Sequence, residues 1–366
     1  SPPAPPAIDL GRLQDAVGRD LGPVRLPLAS LNKHAFVTGT TGFGKTNTCM
    51  RLLLEAHARG VPFLVIEPVK SEYRRLAQVP ELRGKLRVYS VGGASPFPFR
   101  LNPFEPVWDD ARGGYLSVAR HAEMLKSVFN ASFSSMVHGL PYVLEEALQA
   151  VYRKRGWVLQ TSTNRELDLA LKGRVAAADP LAAQEARWAL LPSLQDLYDE
   201  IEPTLQRKGY AQEVHQNIGA ALRARVESLM KGAKGEMLNT RRSVPLKALF
   251  EGPTIVELDA LGDDDDKAFV MALLFVLLYQ YARVRARGKI SARDRLQHLT
   301  LVEEAHRLLK AAGPAGPEVG NPQGKAVGMF TDMLAEMRAL GEGFIIADQI
   351  PTKVTPEVLK NTNLKL

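Results

Sequence analysis

Short runs of apolar and β-branched residues alternate along this chain with segments whose apolar positions recur every three or four residues. HAFVTG (residues 34–39), PFLVIE (62–67), LRVYSV (86–91), TIVELD (254–259), LTLVEE (299–304) and GFIIADQ (343–349) read as strands. They are apolar at nearly every position rather than at every second one, which predicts strands covered on both faces. TCMRLLLEAHARG (48–60) carries Cys49, Leu52, Leu53 and Ala56 on one helical stripe and closes at Gly60. The expected fold class is α/β, a mainly parallel central sheet flanked by helices.

From residue 115 to 247 the pattern turns mainly helical, with Gly and Pro breaks. That stretch is too long for a loop, so it predicts a helical subdomain inserted between two parts of the sheet domain, residues 21–114 and 248–366. The opening SPPAPPAIDLG, with Pro2, Pro3, Pro5 and Pro6, reads as a linker over residues 1–20 that follows another domain. NTNLKL at the other end reads as the start of a further strand, so the chain is expected to be a fragment. AFVMALLFVLLY (268–279) is an apolar run of twelve residues. A membrane-spanning helix needs about 20, so a buried or subunit-interface helix is expected there.

The chemistry begins at FVTGTTGFGKTNT (36–48), which fits G-x-x-x-x-G-K-[ST] through Gly39, Gly44, Lys45 and Thr46. Glycines let backbone N–H groups approach phosphates, and the helix that follows points its positive end at them. The expected nucleotide contacts are Gly39, Thr40, Thr41, Gly42, Phe43, Gly44, Lys45, Thr46 and Asn47, with Lys45 on the β and γ oxygens and the Thr46 hydroxyl on Mg²⁺. Hydrolysis of ATP needs further groups to hold the metal and position water. LTLVEEAH supplies two carboxylates at the end of an apolar strand: Glu303 for the Mg²⁺ shell through water, Glu304 to polarise the attacking water. Gln349, at the end of GFIIADQ, can reach the γ-phosphate or that water; as a plain strand cap it would be unremarkable.

Together FVTGTTGFGKTNT, VIEPVKSEYR, RLNPFEP, LVEEAHRLL and GEGFIIADQIPTKVTPEVLKNTNLK resemble the ATPase domain of bacterial HerA-type proteins, in the HerA–FtsK group of P-loop DNA translocases. The resemblance spans about residues 8–366 and is weakest in the helical middle. It implies a RecA-like fold, a homohexameric ring around double-stranded DNA, ATP held between neighbours, and a NurA-type nuclease or other effector as partner. It also implies that Glu304 is the catalytic carboxylate and Gln349 the sensor, and that Arg338, in LAEMRALGEGF, can act on a neighbour's nucleotide; an ordinary surface ion pair is the competing reading for that arginine. Glu67, Lys70 and Glu72 in EPVKSEY are candidate coupling residues, or simply a solvated turn. The expected activity is ATP-driven DNA translocation in end resection and repair. Alternatives are an antiphage defence ATPase, a nucleotide-gated scaffold that switches on an effector, and a conjugation or secretion ATPase.

Charge fits that picture. The net charge of +7 favours an acidic partner, nucleic acid first and an anionic membrane surface second. YRKRGW (152–157), LMKGAKGEMLNTRRS (229–243) and ARVRARGK (282–289) are basic clusters; the second, a glycine-containing loop with Lys231, Lys234, Arg241 and Arg242, is the expected DNA contact, against the ordinary reading of a solvated face. Asp263 to Asp266 open the apolar helix, where its dipole stabilises them. One cysteine, Cys49, excludes an internal disulfide and suits a reducing cytoplasm. The seven histidines show no zinc spacing, and no nuclease or protease centre is readable.

Overall fold

The computed structural model describes residues 6–40, 42–92, 98–132, 139–172, 179–287, 295–310 and 321–366. β1 (Ala7–Gln14) and β2 (Asp20–Pro27) form an antiparallel hairpin. β3 (Ala35–Thr38), β4 (Phe63–Glu67) and β5 (Arg87–Ser90) follow. Then come two very short hairpins, β6 (Trp108–Asp109) with β7 (Gly114–Tyr115), and β8 (Trp157–Val158) with β9 (Thr163–Asn164). β10 (Thr254–Glu257), β11 (His298–Glu303), β12 (Glu342–Asp348) and β13 (Leu364–Lys365) complete the strands. The central sheet has seven of them in the order β13-β3-β12-β11-β4-β10-β5, every neighbouring pair parallel.

Both faces of this sheet are covered, which is why the middles of its inner strands are apolar and buried. On one face Val37, Phe63, Val65, Leu299 and Ile345 pack with Leu52 and Leu53 of the helix Lys45–His57 and with Ile8 of β1. On the other, Phe36, Leu64, Val302 and Phe344 join a larger core with the helices Asp264–Ala286 and Pro322–Met337. The helices between β7 and β10, from Val118–Ala131 to Leu246–Phe250, contribute to that same core, so their apolar faces are continuous with the sheet layer. Strand and helix packing is tight where β12 starts: a Cβ on Gly343 would stand 2.6 Å from the Leu31 carbonyl oxygen.

Two expectations change. The expected linker over residues 1–20 is largely a hairpin, because Ile8 is fully buried against the sheet domain and β1 pairs with β2 through a register shift near Gly11. Residues 1–5, which hold Pro2, Pro3 and Pro5 of that linker, lie outside the described residues. The expected loop around Lys234 is a short helix, Gly232–Leu238. The strand begun by NTNLKL is present as β13 at the sheet edge. Asp264–Ala286 is the one helix, among the described residues, long and apolar enough to cross a membrane; 89% of its apolar window is buried inside the protein. Its start is capped by the Asp263 side chain, while Asp266 is buried and ion-paired to Lys234 and Arg225 rather than solvated.

Candidate active site

β3 delivers the glycine-rich loop directly into the helix Lys45–His57. Gly42 and Gly44 have φ of 89° and 86°, a region open to glycine and strained for other residues, so the tight turn depends on them. Gly44 caps the helix, and Lys45 and Thr46 are its first residues. The Phe43 side chain is 83% exposed, so this residue offers the loop its backbone. Thr41 lies outside the described residues.

The strand order brings the other groups to this loop. β12 lies between β3 and β11, so Gln349 follows the strand that separates the phosphate loop from the two carboxylates. Lys45, Thr46, Glu67, Glu72, Glu303 and Gln349 line one cleft at the carboxyl ends of these strands. Lys45 Nζ is 3.8 Å from Glu303 Oε2, and the Tyr73 hydroxyl donates to Glu303 Oε1 at 2.5 Å. The Thr46 hydroxyl donates to Glu72 Oε2 at 2.9 Å, and Lys70 stands 3.7 Å from the other Glu72 oxygen. Gln349 Nε2 donates to Glu304 Oε1 at 3.0 Å. Glu304 is held in the left-handed region, φ 48° and ψ 46°, an uncommon conformation for a residue with a side chain.

Burial dominates the electrostatics of the cleft, and neighbouring acids add to it. Burial raises the Glu303 carboxyl above its ordinary value; the Tyr73 hydrogen bond and Lys45 oppose that, and Glu304 and Glu72 add to it. Burial also pushes Glu67 up to about 8, despite N–H donation from Glu72 and Tyr73, with Glu257 and Glu303 adding repulsion. A hydroxyl and several carboxylate oxygens beside a lysine are the hard donors that suit Mg²⁺ and a phosphate chain, and a cation there would offset the crowding. The residues present therefore fit Mg²⁺-nucleotide.

The Glu67 shift has a measurable sign. A carboxyl that ionises near 8 when folded and at an ordinary 4.5 when unfolded costs stability as pH rises between those values. Without nucleotide, the unfolding free energy is expected to decline across that window, and Glu67→Gln to flatten the decline. Chemical denaturation at several pH values checks this; identical slopes for the two proteins would contradict it.

Sequence reasoning passed over three residues that the fold brings in. His306 Nδ1 lies 2.8 Å from Asp348 Oδ2 and 3.7 Å from Glu304 Oε2, so this pair abuts the second carboxylate. Burial opposes ionisation of Asp348, but His306 and two backbone N–H groups hold its carboxyl below the ordinary range. The signal available was a polar residue next to Gln349 and a histidine two after Glu304. Tyr73 gave no such signal, because its partner is 230 residues away.

Two groups of candidates lie apart from the cleft. Arg338 is exposed in the 3-10 turn Arg338–Leu340, which precedes β12. Seven residues of strand, about 20 Å at roughly 3.3 Å each, separate it from the site at the other end. Of the basic cluster, Lys234 is consumed by Asp266 and Ser228, and Arg241 stands 3.3 Å from Asp196. Lys231 and Arg242 pair with Glu227 and Glu185 but keep side chains 69% and 62% exposed. In ARVRARGK, residues 288 and 289 are outside the described residues.

Comparison with known proteins gives the same frame. The family model described as "DUF87: Helicase HerA, central domain" matches residues 8–274, which include the phosphate loop but end before Glu303. By sequence, no curated protein matches the chain. Among solved structures, VirB4 of Thermoanaerobacter pseudethanolicus is similar with a TM-score of 0.61 at 19% identity, covering 97% of this chain and 80% of that one. The bacterial conjugative coupling protein TrwB, lacking its first 70 residues, is similar with a TM-score of 0.50 at 12% identity, covering 92% and 67%. At such identities the likeness concerns the fold, a RecA-like P-loop ATPase core.

Proposed function

The chain belongs to the HerA helicase central-domain family, and from that premise, a P-loop ATPase that takes ATP and Mg²⁺, we propose that it is a translocase of double-stranded DNA working as a homohexamer with a partner nuclease in end processing. The observation that carries this reading is the Glu304–Gln349 hydrogen bond of 3.0 Å beside the phosphate loop. It joins a carboxylate able to polarise water to an amide able to register the γ-phosphate, the pairing a hydrolysis-driven motor requires.

In this mechanism Lys45 holds the β and γ oxygens, and the Thr46 hydroxyl, bonded to Glu72, would be the group that helps hold the metal. Mg²⁺ supplies neutralisation of the phosphate charge. Glu303, steadied by Tyr73 and Lys45, would help hold the metal. Glu304 polarises the attacking water, and Gln349 leaves Glu304 for the nucleotide when it is present. Arg338, too far from its own site, serves a neighbour's nucleotide as a planar, permanently charged fork. Glu72, bonded to Thr46 and flanked by Lys70, couples the nucleotide to the subunit boundary. Lys231 and Arg242 are the two members of the basic cluster exposed enough to meet DNA phosphates.

ATP hydrolysis is expected to rise several-fold with linear duplex DNA at low salt, and the rise to fade at physiological salt as backbone contacts are screened. The measurement is steady-state ATPase with and without duplex, with Lys45→Ala as the blank. A chain shown to be hexameric whose turnover ignores DNA would overturn the motor and leave a nucleotide-gated switch.

A further inference from the structure

A second cluster of cations lies at the opposite end of the sheet from the phosphate loop. The helix Asp264–Ala286 leaves the carboxyl end of β10 and runs back along the sheet, so its last turn arrives where β12 begins. There Arg283 and Arg287 meet Arg112 and Arg120, the latter in the first turn of the helix Val118–Ala131 behind its cap Ser117. With Tyr279 they line an open cavity of about 390 Å³.

The charges in it do not balance. Asp109 is buried and takes Arg287, with Arg112 3.8 Å away. Arg283 donates to the Tyr279 hydroxyl at 3.0 Å and its guanidinium lies over that ring, 5.5 Å from the centroid. Arg120 reaches the same hydroxyl at 3.5 Å, and the hydroxyl donates in turn to Glu336. Among the described residues, neither Arg120 nor Arg283 has a carboxylate within ion-pair distance; Glu123, Glu145, Asp332 and Glu336 line the adjoining groove, which shares Arg120 and Tyr279 with the cavity, and Glu145 there pairs with Lys126. Among the described residues, the lining of the cavity itself carries four guanidinium groups and no carboxylate, and Tyr279 holds two of the four in place. The amino end of the helix behind Ser117 adds to the positive field, while the carboxyl end of the other helix offsets part of it.

Planar forks that are fixed and short of counter-charge recognise phosphate oxygens in pairs. The cavity stands at the small end of the roughly 300–1,000 Å³ usual for small-molecule sites. That volume suits a short phosphate chain, whereas duplex DNA is met along an extended basic face. We propose that this cavity binds the phosphate chain of a small phosphorylated ligand, at a site separate from the catalytic phosphate loop.

The test is isothermal titration of inorganic tripolyphosphate, without Mg²⁺ at low salt, into the full chain, Lys45→Ala, and the double variant Arg120→Gln with Arg283→Gln. Lys45→Ala is expected to retain a binding event that the double variant weakens about tenfold or more, the scale of lost charge-assisted hydrogen bonds. Physiological salt weakens that event further. Arg120→Gln alone, which keeps the Arg283–Tyr279 contact, is expected to lose binding in the same direction and decides the matter if the double variant does not fold. Loss of all binding in Lys45→Ala, or equal binding by the full chain and the arginine variants, would overturn the proposal. So would arginine variants that lose duplex DNA while Lys45→Ala takes no tripolyphosphate, which would make the cluster a DNA-backbone contact.

Discussion

Glu304→Gln is expected to reduce ATP turnover by roughly 10²- to 10⁴-fold, the usual contribution of a positioned acid–base group, while nucleotide binding persists. The side chain sits at the carboxyl end of β11 in a left-handed conformation, and a strained backbone at such a point is retained only when its surroundings over-determine it. Gln349 and His306 provide those surroundings on either side of the carboxylate. Glutamine preserves the size and the hydrogen bond to Gln349 but gives up the charge that polarises water. Lys45→Ala reaches the same loss by another route, because the phosphates then lack their cation. The discriminating measurement is nucleotide affinity beside the steady-state rate: unchanged affinity with lost turnover is expected for Glu304→Gln, weakened affinity for Lys45→Ala. Turnover of Glu304→Gln within tenfold of the parent would remove this residue from the chemistry and leave Glu303 as the carboxylate to examine. Activation of an effector by Glu304→Gln would favour the nucleotide-gated switch over the motor.

Glu342→Ala is expected to cost about 3–5 kcal/mol of stability, the range for breaking a buried ion pair from one side. Glu342 is fully buried where β12 starts, directly opposite His298 of β11 in the parallel register. His298 Nδ1 is 2.9 Å from one of its oxygens, and Arg285 binds the other. Burial opposes the charge on Glu342, but His298 and Arg285 prevail and keep its carboxyl below the ordinary range. The contribution is therefore complete above the ordinary carboxylate pKa and is lost as pH falls through the depressed value. Removing the carboxylate strands a guanidinium whose Nε is already buried without a partner. Urea denaturation at neutral pH reads the cost. The pair Glu342→Leu with Arg285→Met should recover part of it, since the guanidinium is then no longer stranded while the buried His298 still loses its partner; a single-variant cost under about 1 kcal/mol would show that the cluster carries little energy.

The parts of this protein legible in its sequence are those set by local periodicity and by short motifs. Six strands of the central sheet show as continuous apolar runs because both faces are covered, and the phosphate loop shows because a tight glycine turn between strand and helix needs particular residues at particular spacings. The carboxylates and Gln349 were visible as polar residues ending apolar strands. The hairpin of β1 and β2 was not: prolines at the start suggested a linker, and the burial of Ile8 depends on a surface made by distant segments.

Which groups meet at the cleft was decided by the strand order. With β12 between β3 and β11, Gln349 meets Glu304 across 45 residues, and Tyr73 meets Glu303 across 230. Charge was reassigned in the same way. Lys234, read from sequence as a cation for DNA, is neutralised by Asp266, and Arg120, unremarkable in sequence, converges with Arg283 of the basic run 282–289 on one tyrosine hydroxyl. Sequence carries identity and local periodicity, which determine each element and the turn chemistry of its ends. A side chain's field and partners depend on neighbours remote in the chain, and only their packing in three dimensions determines those.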